Sequence, residues 1–183
     1  IDQLQRLEKE WIEKAEQNHW IIPKARFGLF PAQADGDEVI FYESEKKDKE
    51  LGRLNFDLCI GKGRKDKFSV GQYFHSVESG QLDAIGLQIT TAGVGVEAGV
   101  KSFKEQNESE SALYLQGLSD RVAEDMAEYI HQLVRTRAGY KKENRGQRYS
   151  PGYPALTNLK GNHIIWNALG AEDLGVTLTD ANE

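Results

Sequence analysis

The chain has 183 residues, 39% hydrophobic and 28% charged, with 23 Lys and Arg against 29 Asp and Glu and a formal net charge of −6. That length suits one domain spanning residues 1–183 with its own core, and the acidic balance argues against non-specific nucleic-acid binding, which needs a basic face to displace counterions. The single cysteine, Cys59, excludes an internal disulfide and a cysteine-cluster metal site, and no apolar run approaches the about 18 residues that suggest a membrane-spanning helix. The expectation is a cytoplasmic, reducing setting with no membrane or nucleic-acid partner.

Leu4, Leu7, Trp11 and Ala15 fall at steps of three and four amid charges, which predicts an amphipathic helix over residues 1–18. Runs 25–30 and 39–42 flank Asp35-Gly36-Asp37 and read as two strands joined by a turn. After a charged stretch, strand character resumes over 51–60, followed by a basic loop at Lys62, Arg64, Lys65 and Lys67. Gly61 and Gly63 precede no Gly-Lys-Ser/Thr, and Gly93, Gly95 and Gly99 also lack a phosphate-binding or dinucleotide spacing. Residues 68–74 fit a strand or a short helix, and 83–90 alternate as a strand should. Short links between the early strands predict antiparallel pairing, because parallel neighbours need crossovers of about a dozen residues or more.

Two helices are predicted between 94 and 137, breaking near Asn107–Ser111, with the second covering the sheet. Leu115, Leu118, Val122, Met126, Tyr129 and Leu133, widened by Ile130 and Val134, form its core stripe. Asp120, Glu124, Glu128 and His131 lie off that stripe, where a solvated face is the ordinary reading. A further short helix is expected around Ile164–Leu169, ending near Gly170. His19, His75, His131 and His163 share no metal-ligand spacing, and no Gly-x-Ser-x-Gly nucleophile turn occurs.

The densest chemistry lies in Arg148-Tyr149-Ser150-Pro151-Gly152-Tyr153-Pro154-Ala155, which holds two of the four prolines. The prolines fix their own φ and extend the residues before them, so this is a stiff loop and neither helix nor central strand. A proline-rich surface turn is the ordinary reading of such a segment. As a site, Arg148 offers a planar fork for a carboxylate, Gly152 allows close approach to the main chain, and Tyr153 offers a ring face with a hydroxyl tip.

Four segments together resemble the activation domain of cobalamin-dependent methionine synthase. They are Gly28-Leu29-Phe30-Pro31-Ala32 with Gly36-Asp37; Ser79-Gly80 with Asp83, Ile85-Gly86 and Thr90-Thr91-Ala92-Gly93; Asp120-Arg121-Val122-Ala123-Glu124 with Ala127-Glu128-Tyr129-Ile130-His131; and Arg148 to Ala155, which is similar to the family's Arg-x-x-Pro-Gly-Tyr-Pro-Ala sequence. The resemblance implies an α/β domain of α+β type, C-shaped, with a twisted, largely antiparallel sheet and flanking helices. It implies S-adenosylmethionine as ligand, with Glu124, Arg148, Ser150, Gly152 and Tyr153 in its site and Glu124 as the negative group near the cationic ligand. It further implies cobalamin held by a neighbouring domain of the parent enzyme, flavodoxin or a flavoprotein reductase as electron donor, and reductive methylation of cob(II)alamin to methylcobalamin. The alternative is a non-catalytic relative acting as a docking or scaffold module.

The chain departs from the family in several places. An amino-terminal Asp and a carboxyl-terminal Tyr of the family's site are expected to lie outside residues 1–183, so the domain reads as incomplete at both ends. The acidic residue before the Arg148 segment aligns with Lys142 or Glu143, and Leu156 stands where a Cys is usual.

Overall fold

The alternating segments form a four-stranded sheet in the order β3-β2-β1-β6, from β1 (Lys24–Asp35), β2 (Glu38–Tyr42), β3 (Glu50–Asn55) and β6 (Asp83–Thr91). This computed structural model describes residues 2–60, 66–140 and 146–181; Gly61, Lys62, Gly63, Arg64, Lys65, Lys142, Glu143 and Arg145 lie outside the described residues. β1 pairs antiparallel with β2 from Ala32↔Phe41 to Asp35↔Glu38, and β2 pairs antiparallel with β3 through Val39↔Leu54 and Phe41↔Gly52. β1 is longer than the predicted 25–30 and passes through Pro31. The ladder to β2 starts only at Ala32, so the missing proline N–H costs no bond on that side.

The predicted strand 51–60 is two strands. The chain leaves the sheet after Asn55, and β4 (Cys59–Ile60) pairs with β5 (Lys67–Phe68) in a separate antiparallel ribbon. The physical reason is a competing set of bonds: the Phe56 N–H donates to the Asp37 carbonyl at 2.9 Å and the Asp57 N–H to the Ala155 carbonyl at 3.0 Å, which pulls both residues out of the ladder. Residues 68–74 are both things expected of them, the end of β5 and a 3-10 turn at Val70–Tyr73.

By internal contacts the chain divides into two units, one of segments 1–26, 89–130 and 172–177, the other of 27–88, 131–171 and 178–183. In the first, α1 (Asp2–Gln17), α2 (Gly95–Glu105) and the first part of α3 (Ser109–Arg137) surround Ala92, Val96, Phe103, Ala112 and Leu115. Trp11 and Trp20 set their rings edge-on to Phe103 at 5.8 and 5.1 Å, and the Lys14 ammonium lies over both Trp11 and Phe103.

α1 and α2 end alike, each on a non-glycine residue with left-handed backbone: His19 (φ 54°) and Asn107 (φ 60°). After α2, the Glu108 N–H returns to the Phe103 carbonyl at 2.8 Å and the Asn107 N–H to Lys104 at 3.1 Å, which satisfies carbonyls the helix leaves open. That closure fixes the break near Asn107. Gly93 (φ 112°) serves a tighter need, since a β-carbon there would stand 2.7 Å from the Ile22 carbonyl oxygen.

In the second unit the two faces of the sheet take different helices. Phe41 (fully buried) and Gly52 share a face across β2 and β3, and Ile164 of α4 (Lys160–Leu169) packs onto Gly52. Near the other end of the sheet, Val134 of α3 packs onto Gly86 of β6, with Leu29 beside it, and the Arg137 guanidinium lies 4.8 Å over the Phe27 ring. A β-carbon at Gly86 would overlap the Val134 side chain. Gly86→Ala is therefore expected to destabilise the chain by about 1–3 kcal/mol, and by less than additively when combined with Val134→Ala; denaturant melts of the two singles and the double measure this.

One expectation for α3 is corrected. Its buried seam runs through Ala112, Leu115, Ser119, Ala127, Ile130 and Val134, whereas Tyr129 is 58% exposed and His131 is half-buried. The small residues allow close approach along one line of the helix. The large ones at Met126 and Tyr129 are displaced to its flank, a rotation that a stripe of bulky residues does not reveal.

Candidate functional site

The loop at Arg148–Ala155 is built as the prolines require, without helix or strand. Gly152 has φ +90°, a conformation that suits glycine, and its N–H donates to the Leu156 carbonyl at 2.8 Å. The Leu156 N–H in turn donates to the Tyr153 carbonyl at 2.8 Å, so Gly152 to Leu156 forms a closed turn. Ala155 and Leu156 are buried and anchor it from below. Pro151 lies against Gly161 of α4, where a β-carbon would stand 3.0 Å from the proline ring. Above these anchors Arg148, Ser150, Gly152 and Tyr153 are all exposed, Tyr153 at 66%.

Four of the five predicted site residues thus stand together on one loop of the second unit. Glu124 is exposed on α3 in the first unit. Its helix neighbours are engaged with one another: Arg121 bonds Asp125 at 3.1 Å, and Gln116 donates to Asp120 at 3.0 Å. The Gly152 N–H is committed within the loop, to the Leu156 carbonyl. Leu156, standing where a cysteine is usual, is an apolar anchor that is 2% exposed.

Sequence reasoning missed the supports of this loop. The Tyr149 ring meets Phe56 edge-on at 6.1 Å, and its hydroxyl donates to the Gln147 side-chain carbonyl at 3.0 Å. Burial, followed by the nearness of Cys59 and Tyr73, pushes the Tyr149 phenol up from its ordinary value. At the other end, the Asp57 carboxylate accepts from the Thr157 N–H at 2.8 Å and the Thr157 hydroxyl at 2.7 Å, and these two bonds hold its carboxyl below the usual range. No local pattern marks Asp57, since its partner lies 100 residues away. A separate open cleft of about 430 Å³, lined by Leu29, Pro31, Asp83 and Tyr140, contains none of the predicted site residues.

Chemically, a guanidinium, a glycine-opened main chain and an exposed phenol on one stiff loop suit the recognition of a small ligand bearing a carboxylate and flat or cationic parts. The family profile described as the activation domain of vitamin B12-dependent methionine synthase matches residues 2–182. The chain belongs to this activation-domain family. Methionine synthase of Mycobacterium tuberculosis (strain ATCC 25618 / H37Rv) is 23% identical over 177 residues, a match that covers 84% of this chain and 15% of the relative. Among solved structures, the MetH reactivation domain bound to AdoHcy superimposes with a TM-score of 0.86 at 25% identity, covering 98% of this chain and 60% of that one. The chain thus spans 15% of that methionine synthase and 60% of that solved chain. Its α+β fold, with a mainly antiparallel sheet and four α-helices among the described residues, agrees with that of the reactivation domain.

Proposed function

We propose that this activation domain binds S-adenosylmethionine on the Arg148–Ala155 loop and presents its methyl group to a cobalamin carried by another domain of a methionine synthase. The observation that carries this reading is the likeness, over 98% of the chain, to a reactivation domain bound to AdoHcy. In this reading Arg148 takes the ligand carboxylate, the loop around Ser150 and Gly152 lines its polar edge, and Tyr153 covers its flat or cationic part. Glu124 supplies the negative charge that offsets the sulfonium. The domain holds the methyl donor and does not turn over by itself. One electron from flavodoxin or a flavoprotein reductase, together with the methyl group of the bound S-adenosylmethionine, would convert cob(II)alamin to methylcobalamin and leave S-adenosylhomocysteine, so that the parent enzyme resumes methionine formation. The setting is cytoplasmic, and among the described residues no helix is long and apolar enough to cross a membrane.

Calorimetric titration of S-adenosylmethionine and S-adenosylhomocysteine into the 183-residue chain tests this. Saturable binding of both is expected, and Glu124→Gln is expected to weaken the former more than the latter, because only S-adenosylmethionine carries a sulfonium. The difference should approach about 1 kcal/mol for an exposed charge pair. Absence of binding by either compound refutes the reading, and an equal effect of Glu124→Gln on both refutes the role of Glu124.

A further inference from the structure

We propose that Asp57 is a positioning residue for the ligand loop, clamping its exit so that Arg148 and Tyr153 are presented in a fixed geometry; this rests on the loop being the ligand site. Two consecutive residues hold the two ends of the loop. Phe56 receives the Tyr149 ring at the entry, and Asp57 engages Ala155 and Thr157 at the exit through three hydrogen bonds of 2.7 to 3.0 Å.

The platform itself is rigid. Phe56 is 4% exposed, and its N–H is fixed to the Asp37 carbonyl. Its carbonyl accepts from the fully buried Ser69 hydroxyl at 3.2 Å, and the Ser69 hydroxyl oxygen in turn accepts from the Gly71 N–H at 3.2 Å. The loop between the two attachment points has no regular ladder of its own, so holding both ends removes conformational freedom that ligand binding would otherwise have to remove. Thr157 is exposed and Asp57 only half-buried, so the clamp acts on loop geometry more than on global stability. Because the folded Asp57 carboxyl lies below its ordinary value, the clamp is fully present above about pH 4 and is lost only as pH falls below that. Neutral-pH measurements therefore read it intact.

The test uses the 183-residue chain with Asp57→Ala, Thr157→Val and Thr157→Ser, titrated with S-adenosylhomocysteine at neutral pH and melted in parallel. Asp57→Ala is expected to bind about tenfold more weakly, Thr157→Val to fall between, and Thr157→Ser to match the wild type, with melting temperatures nearly unchanged. Wild-type affinity in Asp57→Ala overturns the proposal. So does a loss of affinity that tracks a large fall in melting temperature and is equal in Thr157→Ser. Should the wild type itself not bind, the ligand reading fails, and the clamp is judged by hydrogen exchange at the Gly152 amide. Exchange about tenfold faster in Asp57→Ala supports the clamp, and unchanged exchange overturns it.

Discussion

Arg148→Ala is expected to weaken S-adenosylmethionine binding by about 2–4 kcal/mol while leaving the melting curve close to wild type. The ligand carboxylate needs a cation held in place. Arg148 directly precedes the turn fixed by the Gly152–Leu156 bonds and the Pro151–Gly161 packing, so its guanidinium is presented at a small entropic cost. Arg148→Lys keeps the charge but loses the two-pronged fork, and its affinity should lie between the two. Arg148 is exposed, which is why folding should change little. Titration of the ligand into wild type, Arg148→Ala and Arg148→Lys, with circular dichroism melting as control, reads both effects. If Arg148→Ala binds within a factor of about two of wild type, the assignment of the carboxylate to Arg148 is wrong.

Phe41→Ala carries the largest expected stability cost, about 3–5 kcal/mol, which at about 2–4 °C per kcal/mol lowers the melting temperature by roughly 6–20 °C. Phe41 is fully buried in β2, its ring lies 5.9 Å from that of Phe30, and it covers Gly52 on the neighbouring strand. Removing the ring opens a cavity in the middle of the sheet face that α4 packs against, where backbone hydrogen bonds on both sides of β2 resist collapse. Phe41→Leu fills most of that volume and should cost less than half as much. A Phe41→Ala chain melting within a few degrees of wild type would show that the sheet face is not the main core of its unit.

Much of this architecture is legible in the sequence because it follows from local rules. The periodic apolar residues of α1, the turn at Gly36 and the helix break near Asn107 each depend on a few neighbouring residues, and each appears where the pattern places it. The resemblance carried by four short segments likewise leads to the family that the profile over residues 2–182 establishes. Reading failed where one local preference met a distant partner. Residues 51–60 have the composition of one strand, yet bonds from Phe56 to Asp37 and from Asp57 to Ala155 end it at Asn55.

The same distinction separates the residues of the candidate loop from what holds them. Proline, glycine, tyrosine and arginine in one octet announce a stiff loop from sequence alone, because proline restricts its own φ and that of its neighbour whatever the rest of the chain does. Tertiary structure alone decided that Phe56 and Asp57 support that loop, that Gly152 spends its N–H on Leu156, and that Tyr129 faces solvent while Ala127 is buried. A hydrogen bond spanning 100 residues leaves no periodicity to read, and a helix seam made of alanine and serine has no bulk to advertise it. Both are fixed only once the chain has closed on itself and each group has found the partner nearest in space.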